Sequence, residues 1–119
     1  MGNGNLPDAT TFADARASVQ RLQNELHKAL SNPTLSDGQK QLCLDAYNAA
    51  NTELQRLLSV QIKNLSKTYN IDKESAAELS KDLRALKTSI DEIRKTAQEI
   101  QWVFDAVTDV LKIVAKFTV

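Results

Sequence analysis

The stretch "AAELSKDLRALKTSIDEIRKTAQEIQWVFDAVTDVLKIV", Ala76 to Val114, carries the pattern that decides the fold. Its apolar residues Ala76, Leu79, Leu83, Leu86, Ile90, Ile93, Ala97, Ile100, Phe104, Val107, Leu111 and Val114 alternate in steps of three and four. A helix of 3.6 residues per turn gathers such positions on one face, the arrangement of a helix that packs on other helices. Neither Gly nor Pro occurs between Gln39 and Val119, so the stretch holds no strong breaker. The spacing predicts one helix over 73–118, with Asp72 as its N-cap. The competing expectation is a break near 96–101, at the mediocre helix formers Thr96 and Gln98, that folds the remainder back as a fourth helix. Beyond Val110 an alternation through Leu111, Ile113, Ala115, Phe117 and Val119 also fits a strand, but the heptad running through it favours helix.

Two earlier stripes supply the helices for this one to pack on. Phe12, Ala15, Val19, Leu22, Leu26 and Ala29 predict a helix over 11–31, starting at Thr10 or Thr11 with Asp14 near the positive end of its dipole. Pro33 in "SNPTLSDG" ends it. Ser36 and Gln39 form a capping-box pair for a second helix over 37–69. That helix is striped by Cys43, Tyr47, Ala50, Leu54, Leu58, Ile62, Leu65 and Tyr69. Asn70 is placed to cap its end, and Ile71 to pack between the helices. The expected architecture is all-α: an antiparallel bundle or elongated hairpin of three long helices with coiled-coil-like packing, the C-terminal one longest. Residues 1–10, "MGNGNLPDAT", read as a flexible leader, and 11–119 as a single helical domain.

Composition narrows function by exclusion. Fifteen Lys and Arg balance fifteen Asp and Glu. Residues 1–70 hold six acids and seven bases, and residues 71–119 nine acids and eight bases. Such a balance offers no field to draw nucleic acid, and no basic stripe with interleaved aromatics appears. Cys43 is the single cysteine, so no disulfide within the chain is possible, and it reads as a small buried apolar residue. His27, the single histidine, sits beside Leu26 off the heptad face and reads as solvated. There is no Gly-rich phosphate loop, no clustered metal ligand set and no nucleophile–base pair in the spacing. The expectation is a non-enzymatic protein with no cofactor and no metal. Absence of a signal peptide suits a cytoplasmic location, with export by a signal-independent route left open, and Leu6 stands where a myristoylation signal wants Ser or Thr.

The positive expectation comes from lengths. At about 1.5 Å per residue, helices over 11–31, 37–69 and 73–118 leave roughly residues 105–119 without an intramolecular neighbour. There the apolar arc widens, from Phe104, Val107, Leu111 and Val114 to include Val103, Val110, Ile113 and Phe117, with Trp102 nearly opposite the seam. Each fully buried Val, Leu, Ile or Phe is worth about 1.5–3 kcal/mol, so such a surface needs a cover. The interaction residues expected are therefore Trp102, Val103, Phe104, Val107, Val110, Leu111, Ile113, Val114 and Phe117. They would bury against a protein partner or in a homo-oligomer, as in an adaptor, chaperone or secretion accessory. The alternative is a membrane-active protein whose C-terminal amphipathic helix lies on a bilayer or joins an oligomeric pore. Asp105, Asp109, Lys112 and Lys116 disfavour a simple span.

Overall fold

Thr11 and Asp14 start the first helix by exchanging hydrogen bonds: Asp14 N donates to Thr11 Oγ1 at 3.1 Å, and Thr11 N donates to Asp14 Oδ2 at 3.2 Å. Ser36 and Gln39 do the same for the second, at 3.2 and 2.9 Å, and Asp72 caps the third by accepting from Ser75 N at 3.1 Å. These pairs satisfy backbone donors that a helix start leaves orphaned. The computed structural model describes residues 10–119. The rest of the expected leader lies outside the described residues, while Thr10 itself is buried.

The elements are α1 (Phe12–Ala29), α2 (Asp37–Leu58), α3 (Lys73–Ile90) and α4 (Gln98–Phe117), with short 3-10 turns at Ile62–Asn64 and Ile93–Lys95. Among the described residues the chain is all-helical and contains no strand, only the isolated bridges Thr11–Thr68 and Ile71–Thr118. Each helix runs antiparallel to the next. Gln23 bonds Asn51 and His27 faces Tyr47 across α1 and α2, while Gln39 reaches the Ser89 carbonyl from the start of α2 to the end of α3. Lys87 lies over the Phe104 ring between α3 and α4, and Arg21 meets Asp109 between α1 and α4. The contacts close on themselves: α1 touches α2 and α4, and α3 touches the same two. Leu22, Leu26, Leu57, Leu83, Leu86, Ile90, Val107 and Cys43 fill the space between them, all without exposure.

The helix expected over 73–118 is two helices. The turn is made by residues 91–97, without Gly or Pro, and only Ala97 leaves the helical region outright, at φ −133° and ψ 111°. Asp91 and Glu92 keep helical angles, and Thr96 is bent to φ −116°, ψ −6°. No side chain caps α4. Breaking the helix here forfeits a few backbone hydrogen bonds at about 1 kcal/mol each. Folding back buries Ile100, Val103, Val107, Val110, Ile113 and Val114 to 3% exposure or less, which is worth roughly 9–18 kcal/mol. Tertiary burial wins, so the fold has four helices rather than three, and α2, at 22 residues, is longer than α4 at 20.

The other two boundaries also move. The first helix ends at Ala29 rather than residue 31, where Ser31 N and Asn32 N donate to carbonyls three residues back. The second ends at Leu58 rather than residue 69. Ser59 Oγ donates to the Arg56 carbonyl at 2.6 Å and Gln61 turns extended. The chain then crosses the end of the molecule, where Tyr69 and Ile71 sink into the core at 2% and 0% exposure. Tyr69 N donates to the Thr10 carbonyl, and Val119 N to that of Ile71, so this segment lies between the start of α1 and the end of α4.

Candidate functional site: the outer strip of α4 and the α3–α4 groove

Where α4 sits decides which of the expected interaction residues remain available. Val103, Val107, Val110, Ile113 and Val114 are buried against the chain's own helices and present no free face. The 15-residue region expected to outrun its neighbours is covered instead by α1 and α3, because the fold-back brings it between them. Phe104, Leu111 and Phe117 are half-buried at the edges of this core. Trp102 alone stands out, 44% exposed near the start of α4.

The outward strip of α4 thus reads Trp102, Asp105, Asp109, Lys112 and Lys116, in steps of three and four. Gln101 Nε2 donates to Asp105 Oδ1 at 2.8 Å, and Arg21 Nη1 of α1 donates to Asp109 Oδ2 at 3.0 Å. The Arg21–Asp109 pair is solvent-exposed on both sides, so it registers the two helices more than it stabilises them.

On the opposite flank, α3 and α4 leave a groove of about 600 Å³. Phe104, Leu111 and Ala115 form its apolar part, and Arg84, Lys87 and Lys112 line its rim. Arg94 Cζ lies 4.1 Å from the Phe104 ring centroid and Lys87 Nζ 5.2 Å, so two cations share one aromatic ring. Arg94 is held there by donating Nε to Asp91 Oδ1 at 2.8 Å and Nη1 to Gln101 Oε1 at 3.1 Å. The bond from Arg94 holds the Asp91 carboxyl below the usual carboxylate range. Among the described residues, Arg84, Lys87 and Lys112 have no carboxylate within ion-pair distance.

A second polar cluster, invisible in the sequence pattern, is enclosed rather than open. Glu53, 4% exposed, accepts from the Tyr69 hydroxyl at 2.6 Å and from Arg56 Nη2 at 2.6 Å and Nε at 2.9 Å. Arg56 Nη2 also donates to the Asn70 carbonyl at 2.8 Å, and the Tyr69 ring packs edge-on between Phe12 and Phe117. Both Glu53 oxygens, the Tyr69 hydroxyl and Arg56 Nε and Nη2 have partners within the chain, and the geometry ties the end of α2 to the crossing segment. Tyr69 was legible as an apolar-stripe residue; nothing in the sequence marked Glu53 as buried.

Cys43 is fully buried, and burial pushes its thiol up to about 11, far from a reactive thiolate at neutral pH. His27 is exposed beside Tyr47. Among the described residues no group of three His, Cys, Asp or Glu is arranged to hold a metal ion, and no helix is long and apolar enough to cross a membrane. The chain matches no protein-family model, no curated protein and no solved structure.

Proposed function

We infer that this protein is a helical protein–protein interaction module, a four-helix bundle that docks a partner on the exposed side of α4 with Trp102 as its anchor. The observation that carries the reading is Trp102 itself. An indole left 44% exposed on a strip that is otherwise charged contributes little to the chain's own core. Trp is also the residue type most enriched among binding hot spots. The charges beside it, acidic at 105 and 109 and basic at 112 and 116, favour a partner helix of complementary order. Catalysis has no part in this reading.

Sedimentation and tryptophan emission test it together. Association across micromolar to millimolar protein, or with a co-purified partner, is expected to shift Trp102 emission to the blue. Trp102→Ala is expected to weaken that association at least tenfold (about 1.4 kcal/mol or more). Thermal stability should change by no more than about 0.5 kcal/mol, as for a surface substitution. Association unchanged in the variant would return Trp102 to the ordinary surface.

Contact with an anionic bilayer is the second reading, carried by the end of α2 rather than by α4. Leu58 and Ile62, 51% and 87% exposed, project near the end of α2 beside Lys63 and Lys67. Apolar tips flanked by lysine suit an interfacial site. Cosedimentation with vesicles rich in anionic lipid, lost on Ile62→Asp and in neutral vesicles, is the expected result. Equal recovery from both vesicle types would remove the reading.

A further inference from the structure

The turn at 91–97 has an unusual construction. The heptad stripe runs from Ala76 to Val114 without losing step, as though no turn were there. Five of the seven turn residues, Asp91 to Lys95, lie in or beside helical geometry, including the 3-10 turn Ile93–Lys95. The one residue fully outside that region is Ala97, the best helix former of all, and no side chain caps the helix it begins. Ala97 N already donates to the Ile93 carbonyl at 3.1 Å, the bond an uninterrupted helix would make. Local backbone preference therefore opposes the turn, which is held by the burial of α4 between α1 and α3 and by Arg94, whose side chain reaches from the turn to Gln101 and the Phe104 ring.

We propose that the protein exchanges α4 with a second copy of itself. In the exchanged dimer residues 73–117 form one straight helix, about 66 Å long at 1.5 Å per residue, against a longest extent of 42 Å for the single chain. The α4 segment of each copy then seats between α1 and α3 of the other. Every contact that buries Ile100, Val103, Val107, Val110, Ile113 and Val114 is remade with the same residues. The bonds from Ile71 N to the Phe117 carbonyl and from Val119 N to the Ile71 carbonyl also form between copies. What differs between the two states is the turn and the cost of association, so the balance is set by residues 91–97 and by concentration. This deepens the interaction reading by naming a partner, and it does not use the exposed strip: α4 is exchanged through its buried face.

Gln98 gives a directed test. It is the first residue of α4, its backbone N–H donates to no carbonyl outside the helix, and its side chain is exposed. Proline at that position suits a helix start and holds the preceding residue extended, as Ala97 already is. In a straight helix the same proline is disfavoured about a hundredfold per chain. Gln98→Pro is therefore expected to keep or raise the melting temperature and to abolish dimer formed by refolding at high concentration. Thr96→Ala, which improves the straight helix, is expected to raise the dimer fraction. Paired probes at the exposed Glu74 and Lys116 of one chain, diluted into unlabelled protein, read the connection directly. Their separation is short in the single chain and about 63 Å within a chain that has exchanged α4. A refolded wild-type sample that stays monomeric, together with a Thr96→Ala sample that does so too, would overturn the proposal. So would a dimer in which the paired probes remain close. Trp102→Ala leaves the exchanged dimer intact, whereas it weakens docking on the outer strip, so failure of one reading is separable from failure of the other.

Discussion

A chain ending at Ala97 is expected to show no cooperative unfolding transition. Removing α4 takes away seven side chains that are each at most 3% exposed, and the six Val and Ile among them represent a loss of roughly 9–18 kcal/mol. The whole net stability of a domain is about 5–15 kcal/mol. It also uncovers the faces of α1 and α3 on which α4 packs. Circular dichroism during heating is the measurement: a broad, non-cooperative loss of reduced helicity is expected. A sharp transition with three-quarters of the helix retained would mean that α4 is an appendage, as in the straight-helix expectation.

Tyr69→Ala is the second large effect. It removes an almost fully buried ring from between Phe12 and Phe117 and withdraws a donor from the buried Glu53 carboxylate. Aromatic-to-alanine changes in a core cost about 3–5 kcal/mol, which lowers Tm by roughly 10–20 °C in a chain of this size. Tyr69→Phe keeps the ring and loses only the bond to a charged acceptor, about 1.5–3 kcal/mol. Alkaline pH separates the two contributions. Burial, with the Glu53 carboxylate accepting its proton, holds the Tyr69 hydroxyl above its ordinary value near 10. The neutral form is favoured in the fold, so this contribution is fully present below pH 10 and declines as pH rises past it. The decline is about 1.4 kcal/mol per pH unit, because the unfolded chain releases the proton first. Cys43, raised by burial from an ordinary 9.0 to about 11, adds a similar slope between those values. Urea titrations at successive pH values should show a shallower decline above pH 10 in Tyr69→Phe than in wild type. Parallel curves would show that the hydroxyl is not the titrating group.

Three of the four helix starts were legible from local residues: Thr10 or Thr11 with Asp14 in the first turn, Ser36 with Gln39, and Asp72 before its helix, while the uncapped start of α4 was not. Pro33 likewise marked the first turn. The buried stripe was legible too, from Ala76 to Ile90 and again at Ile100, Val107 and Val114. The fold-back was open only as an alternative and was placed near 96–101 rather than at 91–97, since helical periodicity is indifferent to whether one helix or two carry it. No local residue demanded the break. The decision lies in α1 and α3, which together offer α4 a seat that a straight helix would leave empty. The same fold-back turns Val103 and Val110 inward and leaves Phe104 and Leu111 at the edge, which the heptad line did not distinguish. Trp102 was legible as lying off the stripe, nearly opposite the seam, although it was expected to bury against a partner. Arg94 over Phe104 was not, because the pairing depends on the geometry of the turn.

The crossing segment that holds Thr10 on one side and Val119 on the other has a consequence for the order of events in folding. Its backbone bonds, Tyr69 to Thr10 and Val119 to Ile71, join residues about fifty to sixty positions apart. The α1–α2 and α3–α4 hairpins close across turns of only seven residues. Loop-closure entropy therefore places the hairpins early and the crossing segment late on the folding route. Interactions that form after the barrier govern how fast the native state opens rather than how fast it is reached. Weakening Tyr69 or Ile71 should accordingly shorten the lifetime of the folded protein while leaving its rate of formation nearly unchanged.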